Sequence, residues 1–230
     1  MPARTAPPAV LADACILVKD VVSNVLFDLH AAGQIELYWT PEIEKETILH
    51  RARIRADDNG RRMEDADLIR ASARLEVIKL HLVRHSTPTA WVESDTVLGL
   101  MAQALYAPLR RLPDGDDVHV ALGAASLSWQ LGSAGVLATE NLTDFPPDLL
   151  KLFGVAVMHP GDLLQLLYDR DAEAISQSIL KTARDFKSPE IPPEKMLNSI
   201  SGRNQFWNPE LAQKLAGKWG VAPARANRIR

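Results

Sequence analysis

The sequence predicts an α/β fold, a parallel sheet covered on both faces by helices in three layers and followed by a helical extension. Two observations carry this prediction. Short strand-like runs (Ala9 to Ala12, Ile35 to Trp39, Val136 to Ala138 and Val155 to Met158) alternate with segments whose apolar residues recur at helical spacing. Strands separated by helices run parallel, and a parallel sheet is buried on both faces. Beyond Gly161 the strand patterns end and only helical ones remain, so residues 1–160 are expected to form the α/β domain and residues 161–230 a helical C-terminal extension.

Element by element, Ala9 to Ala12 is an apolar run that stops at Asp13, and Ile16 to Ala32 shows helical spacing up to Gly33. After the next strand, Thr40 is placed to cap a helix that begins at Pro41, because a threonine oxygen accepts from a first-turn amide and proline tolerates the first helical position. The stretch from Arg51 to Arg62, with Asp57-Asp58-Asn59-Gly60, reads as a helix end and loop. Helix resumes from Met63 to about Arg74, and Leu75 to Val83 either extends it or forms a strand. Pro113-Asp114-Gly115-Asp116 is a loop, and Asp117 reads as the cap of an alanine-rich helix that ends at Gly132 and Gly135. Two strands follow, Val136 to Ala138 and Val155 to Met158. The extension holds helical patterns over 162–168, 172–186, 193–200 and 209–219, and the tail from Val221 is basic and expected to fray.

Composition narrows the function. A hydrophobic fraction of 47% with 24% charged residues is ordinary for a globular chain and leaves no case for disorder. No apolar run approaches the roughly 20 residues that span a bilayer, and Met1 to Pro8 lacks the order of a signal peptide, so a cytoplasmic protein is expected. The lone Cys15 allows no internal disulfide and no thiolate cage, and it reads as a small buried hydrophobe. Scattered histidines without an HExxH pattern argue against zinc. A net charge of -3 is not that of a protein that coats nucleic acid, so any RNA must be bound locally.

Chemistry is suggested by four acids: Asp13 after one strand, Glu46 in the helix after the next, Asp117 at a helix start and Asp144 after a third strand. In open α/β sheets the functional edge lies beyond the carboxyl ends of the strands, where these segments would converge. Carboxylates brought within a few ångströms repel one another, and a hard cation relieves the repulsion. Oxygen ligands of this kind suit Mg²⁺, with Mn²⁺ as its substitute, and such a site hydrolyses phosphodiesters. Each acid alone has a plainer reading as a turn residue, a cap or a solvated helix charge.

The strings Ala12-Asp13-Ala14, Trp39 to Glu46, Leu112 to Val120 and Thr139-Glu140-Asn141-Leu142-Thr143-Asp144-Phe145-Pro146 resemble, in order and spacing, the successive motifs of PIN-domain ribonucleases, specifically the bacterial branch with a T-x-N-x-x-D-F-P signature. The resemblance covers about residues 8 to 160. It implies a Mg²⁺-dependent endoribonuclease, the toxin of a type II toxin-antitoxin pair, with RNA as substrate, an antitoxin protein as partner and a tendency to pair as a homodimer. It further implies that Asp13, Glu46, Asp117 and Asp144 are both the metal ligands and the catalytic acids, while Thr139 and Asn141 orient ligand or water. Many family members carry an acid two residues after that threonine. Asn141 stands there instead, so the fourth ligand is either its carbonyl oxygen or Asp144.

A catalytically degenerate PIN fold acting as a nucleic-acid or protein binding module is the alternative. A haloacid-type phosphatase is disfavoured because Cys15 occupies the place of its second aspartate, and a response receiver because the acidic pair it needs is missing. His119 reads as structural. Arg51, Arg53, Arg55, Arg61 and Arg62, like Arg110 and Arg111, read either as an RNA-steering cluster or as solvated charge. Trp91, Trp129 and Trp207 stack on bases in one reading and pack against protein in the other.

Overall fold

A computed structural model of the chain describes residues 6–81, 108–186, 190–202 and 205–222. It divides into two compact units that interleave along the sequence, one made of Met1–Val18 and Glu36–Val157, the other of Lys19–Ile35 and Met158–Arg230. The α/β architecture expected from the sequence is present, with a parallel four-stranded sheet and predominantly helical surroundings.

The sheet consists of β1 (Ala9–Ala12), β2 (Glu36–Tyr38), β3 (Gly135–Ala138) and β4 (Val155–Met158), in the order β2-β1-β3-β4. Every residue of β1 and β3 is buried, as continuous apolar runs in a doubly covered sheet require. β1 pairs in parallel with both neighbours, Val10 lying opposite Leu37 and Val136, and Leu11 opposite Tyr38 and Leu137. This register brings the carboxyl ends of β1 and β3 out together. The amide of Asp13 continues the ladder by donating to the carbonyl of Ala138 at 3.1 Å.

The first unit also contains α1 (Ala14–Leu17), α3 (Pro41–Asp58), α4 (Asp65–His81), α5 (Val118–Leu131) and α6 (Pro147–Lys151), while α2 (Asp20–Ala31) belongs to the second. Thr40 caps α3 as expected, its hydroxyl accepting from the Ile43 amide at 3.2 Å. Small residues, Ala121, Ala124 and Ala125, line the buried side of α5, which packs on β1 and β3. Gly132 ends α5 in the left-handed conformation at φ 60, where a side chain would be strained.

Several expectations are corrected. The single helix expected over Ile16 to Ala32 is two, broken at Val18 and Lys19. The Leu17 carbonyl is taken by the Arg51 guanidinium at 2.6 Å, so it is not left to serve a continuing helix. Helix α3 runs through the arginine stretch to Asp58, and α4 extends to His81. Gly135 opens β3 and has no part in ending α5.

Between α3 and α4, the fully buried Asp67 accepts from both terminal nitrogens of Arg61, at 2.6 and 2.7 Å, and from the Glu64 amide at 3.1 Å. The Arg61 hydrogen bonds, helped by that amide, hold the Asp67 carboxyl down to about 2.

The second unit also holds α7 (Pro160–Arg170), α8 (Ala172–Asp185), α9 (Pro193–Ser201) and α10 (Pro209–Trp219); α2 packs against α8, which meets α7 and α9, and α9 packs with α10. Asp28 of α2 accepts from Lys181 at 2.6 Å and Thr182 at 2.7 Å on α8. Asn208 caps α10 and donates to the Gly161 carbonyl at 2.9 Å. A Cβ at Gly161 would fall 1.8 Å from the Phe206 carbonyl oxygen, so only glycine permits this approach. Among the described residues no helix is long and apolar enough to cross a membrane.

Candidate metal centre

Parallel pairing of β1 and β3 sets Asp13 and Thr139 side by side just beyond the strand ends. The Thr139 hydroxyl donates to Asp13 Oδ2 at 2.8 Å, and both residues are buried. Thr139 in turn accepts from the Asn141 amide at 3.0 Å, which ties the loop after β3 to the loop after β1. Cys15, expected as a small buried hydrophobe, also donates from its half-buried thiol to the same Asp13 oxygen at 3.0 Å. Burial, reinforced by the Asp13 charge, pushes the thiol pKa up and keeps the proton on sulfur.

The loop before α5 delivers two aspartates. Asp114 accepts from the Asp116 amide at 2.8 Å, shaping the turn. Asp117 occupies the N-cap position of α5, yet it does not cap as expected. Its backbone is helical, at φ -85 and ψ -4, and its side chain makes no cap hydrogen bond. The carboxylate is approached by the Asn141 amide nitrogen at 3.5 Å instead. The turn following β3, in which the Asp144 amide donates to the Asn141 carbonyl at 3.3 Å, supplies Asp144. Carboxylate oxygens of Asp114, Asp117 and Asp144 all lie within 4.8 Å of one another.

Burial pushes the Asp117 carboxyl up to about 6, and the charges of Asp13, Asp114, Asp144 and Glu46 push the same way. The other three acids singled out from the sequence, Asp13, Asp144 and Glu46, thus all act on Asp117 through their charge. Glu46 reaches it from α3 and pairs through Oε2 with His119 Nε2 at 3.4 Å. The His119 Nδ1 lies 2.7 Å from the Asp116 carbonyl oxygen. Burial works against charge on this ring, but the Glu46 contact, the Asp116 carbonyl and the Glu42 charge outweigh it and raise its pKa.

The tight trio and the expected quartet share only Asp117 and Asp144. Asp114 was not singled out, because a Pro-Asp-Gly loop signals a turn whichever way its carboxylate faces; its spacing of three residues from Asp117 is the only hint. The trio suits a hard cation in its chemistry, since every donor is a carboxylate oxygen. Two oxygens bound to one Mg²⁺ lie about 3.0 Å apart when adjacent and about 4.2 Å apart when opposite, given Mg–O distances of about 2.1 Å. A spread of up to 4.8 Å fits one cation after a small side-chain rotation or with one carboxylate reaching it through water.

The basic cluster is partly used by the fold. Arg51 bonds the Leu17 carbonyl, while Arg61 and Arg55 both reach Asp67, the latter at 3.9 Å. Trp129 and Trp207 are exposed, whereas Trp91 and the tail from residue 223 lie outside the described residues. Comparison with protein-family models, curated proteins and solved structures finds no match to this chain.

Proposed function

We propose that the chain is a divalent-metal-dependent endoribonuclease with a PIN-like α/β domain, a cytoplasmic enzyme that serves as the toxin of a toxin-antitoxin pair. The observation that carries the nuclease reading is the meeting of Asp114, Asp117 and Asp144, whose carboxylate oxygens lie within 4.8 Å of one another and where the charges of Asp13 and Glu46 add to the repulsion on Asp117. Such repulsion costs stability unless a cation balances it. The toxin role, an antitoxin partner and self-pairing rest on the resemblance of the motifs.

A bound Mg²⁺ or Mn²⁺ would offset the charge of the scissile phosphate and acidify water near it. Asp13, Asp117, Asp144 and Glu46 would hold that cation, with Asp114 as a further donor. Thr139 and Cys15 both bond Asp13 through Oδ2, which fixes its carboxylate. In the hydrolysis a water oxygen would bond to phosphorus, one P–O ester bond of the RNA would break, and the departing oxygen would take up a proton to leave as a hydroxyl.

The test is to incubate the full chain with single-stranded and hairpin RNA. Internal cuts are expected with Mg²⁺ or Mn²⁺, none with chelator, and at least about a 100-fold loss of rate in Asp117→Asn and Asp13→Asn, since metal catalysis supplies several kcal/mol. RNA left intact by the wild type, or cut equally by the variants, overturns the reading. Expression of the wild type but not of Asp13→Asn is expected to arrest growth. The Asn141 contact with Asp117 favours a second reading, a degenerate PIN-like binding module, because a carboxamide there replaces a charged ligand. In that case the wild type binds Mg²⁺ no better than Asp117→Asn.

A further inference from the structure

We propose that the outward face of α4 is a docking surface for an acidic amphipathic helix of a partner protein. None of the residues involved belongs to the acid cluster, so this face is independent of the metal-site reading. Helix α4 packs on α3, and Ala71, Leu75 and Ile78 on one side of it are buried. At about 100° per residue the opposite side is the row Ala66, Ile69, Ala73 and Val77, where a helix facing water is ordinarily polar. Here it is apolar instead. All four residues are exposed, Ile69 at 68% and Val77 at 43%, and they follow one another at spacings of three and four over a rise of about 16 Å. A contiguous apolar row of this kind marks a site of interaction.

The two edges of the row differ in charge. Arg70 and Arg74, one turn apart along one edge, are exposed and take part in no ion pair or side-chain hydrogen bond among the described residues. The other edge carries Asp65 in the first turn, where an acid suits the helix dipole, and Glu76, which Lys79 holds at 2.9 Å while also reaching Glu44 of α3 at 3.0 Å. The uncompensated charge is therefore positive and lies along one edge. A second helix with apolar side chains three and four apart would pack along the row, and the small Ala66 and Ala73 would let it approach closely. Carboxylates one turn apart on that helix would meet Arg70 and Arg74, whose planar forks suit carboxylate oxygens. A second copy of the chain fits worse. Antiparallel two-fold pairing sets each edge against itself, arginine against arginine, and parallel pairing sets the arginines against an edge whose Glu76 is already held by Lys79. RNA phosphates would use the arginines but leave Ile69 and Val77 in water.

The probe is a labelled, helix-stapled synthetic peptide with leucines at every third or fourth position and a row of glutamates along one edge, titrated with the full chain and followed by fluorescence anisotropy. Saturable binding is expected, in the weak range of small interfaces. A counterpart with lysines in place of the glutamates is expected to bind about tenfold less tightly, since each exposed charge contact changes affinity by up to about fivefold. Arg70→Glu with Arg74→Glu is expected to invert that preference, and Ile69→Ser with Val77→Ser to abolish binding of both peptides. All four side chains are exposed, and thermal unfolding checks that the variants are folded. Binding of neither peptide by the wild type, equal binding of the two, or a preference that the arginine variant retains overturns the inference. Self-association of the wild type in sedimentation that Ile69→Ser with Val77→Ser removes would give the face to a second copy. Single-stranded RNA binding that the arginine variant loses and the serine variant keeps would give it to RNA, and either result overturns the partner helix.

Discussion

Replacing Asp117 with asparagine keeps the size of the side chain while removing one charge from a group of mutually repelling carboxylates. Its carboxyl stands at about 6 in the folded chain against an ordinary value of 3.8. A folded-state pKa above the unfolded one means that the folded protein holds the extra proton between those values. Stability therefore falls as pH rises from about 4 to about 6 and stays at the lower level beyond. The full shift of about two units corresponds to about 3 kcal/mol. Asp117 is half exposed, and screening by solvent brings the expected effect to about 1 kcal/mol. The side chain makes no cap hydrogen bond, so asparagine gives up nothing at the helix start.

In chelator, thermal unfolding of Asp117→Asn at about pH 8 is expected to be about 2–4 °C above wild type, the shift that corresponds to 1 kcal/mol at this size. The difference is expected to vanish below about pH 4, where the wild-type carboxyl is protonated in both states. Added Mg²⁺ is expected to stabilise the wild type more than the variant, because only the wild type offers the full set of ligands. A variant less stable than wild type at pH 8, or a difference independent of pH, would refute the raised Asp117 carboxyl, which burial and then the neighbouring acids produce.

Three further outcomes follow from other parts of the chain. Thr139→Val, which removes the donor to Asp13 and keeps the branched shape, is expected to weaken Mg²⁺ binding about tenfold by calorimetry, while Thr139→Ser retains it. Asp67→Asn is expected to destabilise the chain at neutral pH. The depressed carboxyl near 2 contributes stability that is complete above the unfolded value of 3.8 and is lost as pH falls through about 2, so acid titration of wild type and variant should converge there. Gly161→Ala is expected to cost about 1–3 kcal/mol in urea unfolding, because the Phe206 carbonyl must move to admit a methyl group.

Much of the sheet was legible because its strands are short apolar runs with turn residues at their ends. The positions of Asp13 and Thr139 follow from parallel pairing that the alternation with helices already implied. Thr40 and Pro41 announced α3 through local cap chemistry, which tertiary context did not override. What stayed hidden depended on partners distant in sequence. The break after Leu17 is made by Arg51, and no local pattern reveals that a guanidinium will take that carbonyl. The amphipathic spacing of α2 says that it packs, but not that its partners are the helices beyond Met158. Asp114 and Cys15 suit a turn and a core filler by residue type, and only the fold sets the Asp114 carboxylate beside Asp117 and Asp144 and the Cys15 thiol on Asp13.

Carboxyl carbon NMR of Asp117, assigned by the loss of its signal in Asp117→Asn, probes most directly whether these acids gather around a cation. In chelator the resonance is expected to titrate near pH 6, and saturating Mg²⁺ is expected to drive the midpoint below about 4. A midpoint near the ordinary carboxylate value without metal, or one that Mg²⁺ leaves where it was, would contradict the gathering of these carboxylates into a metal site.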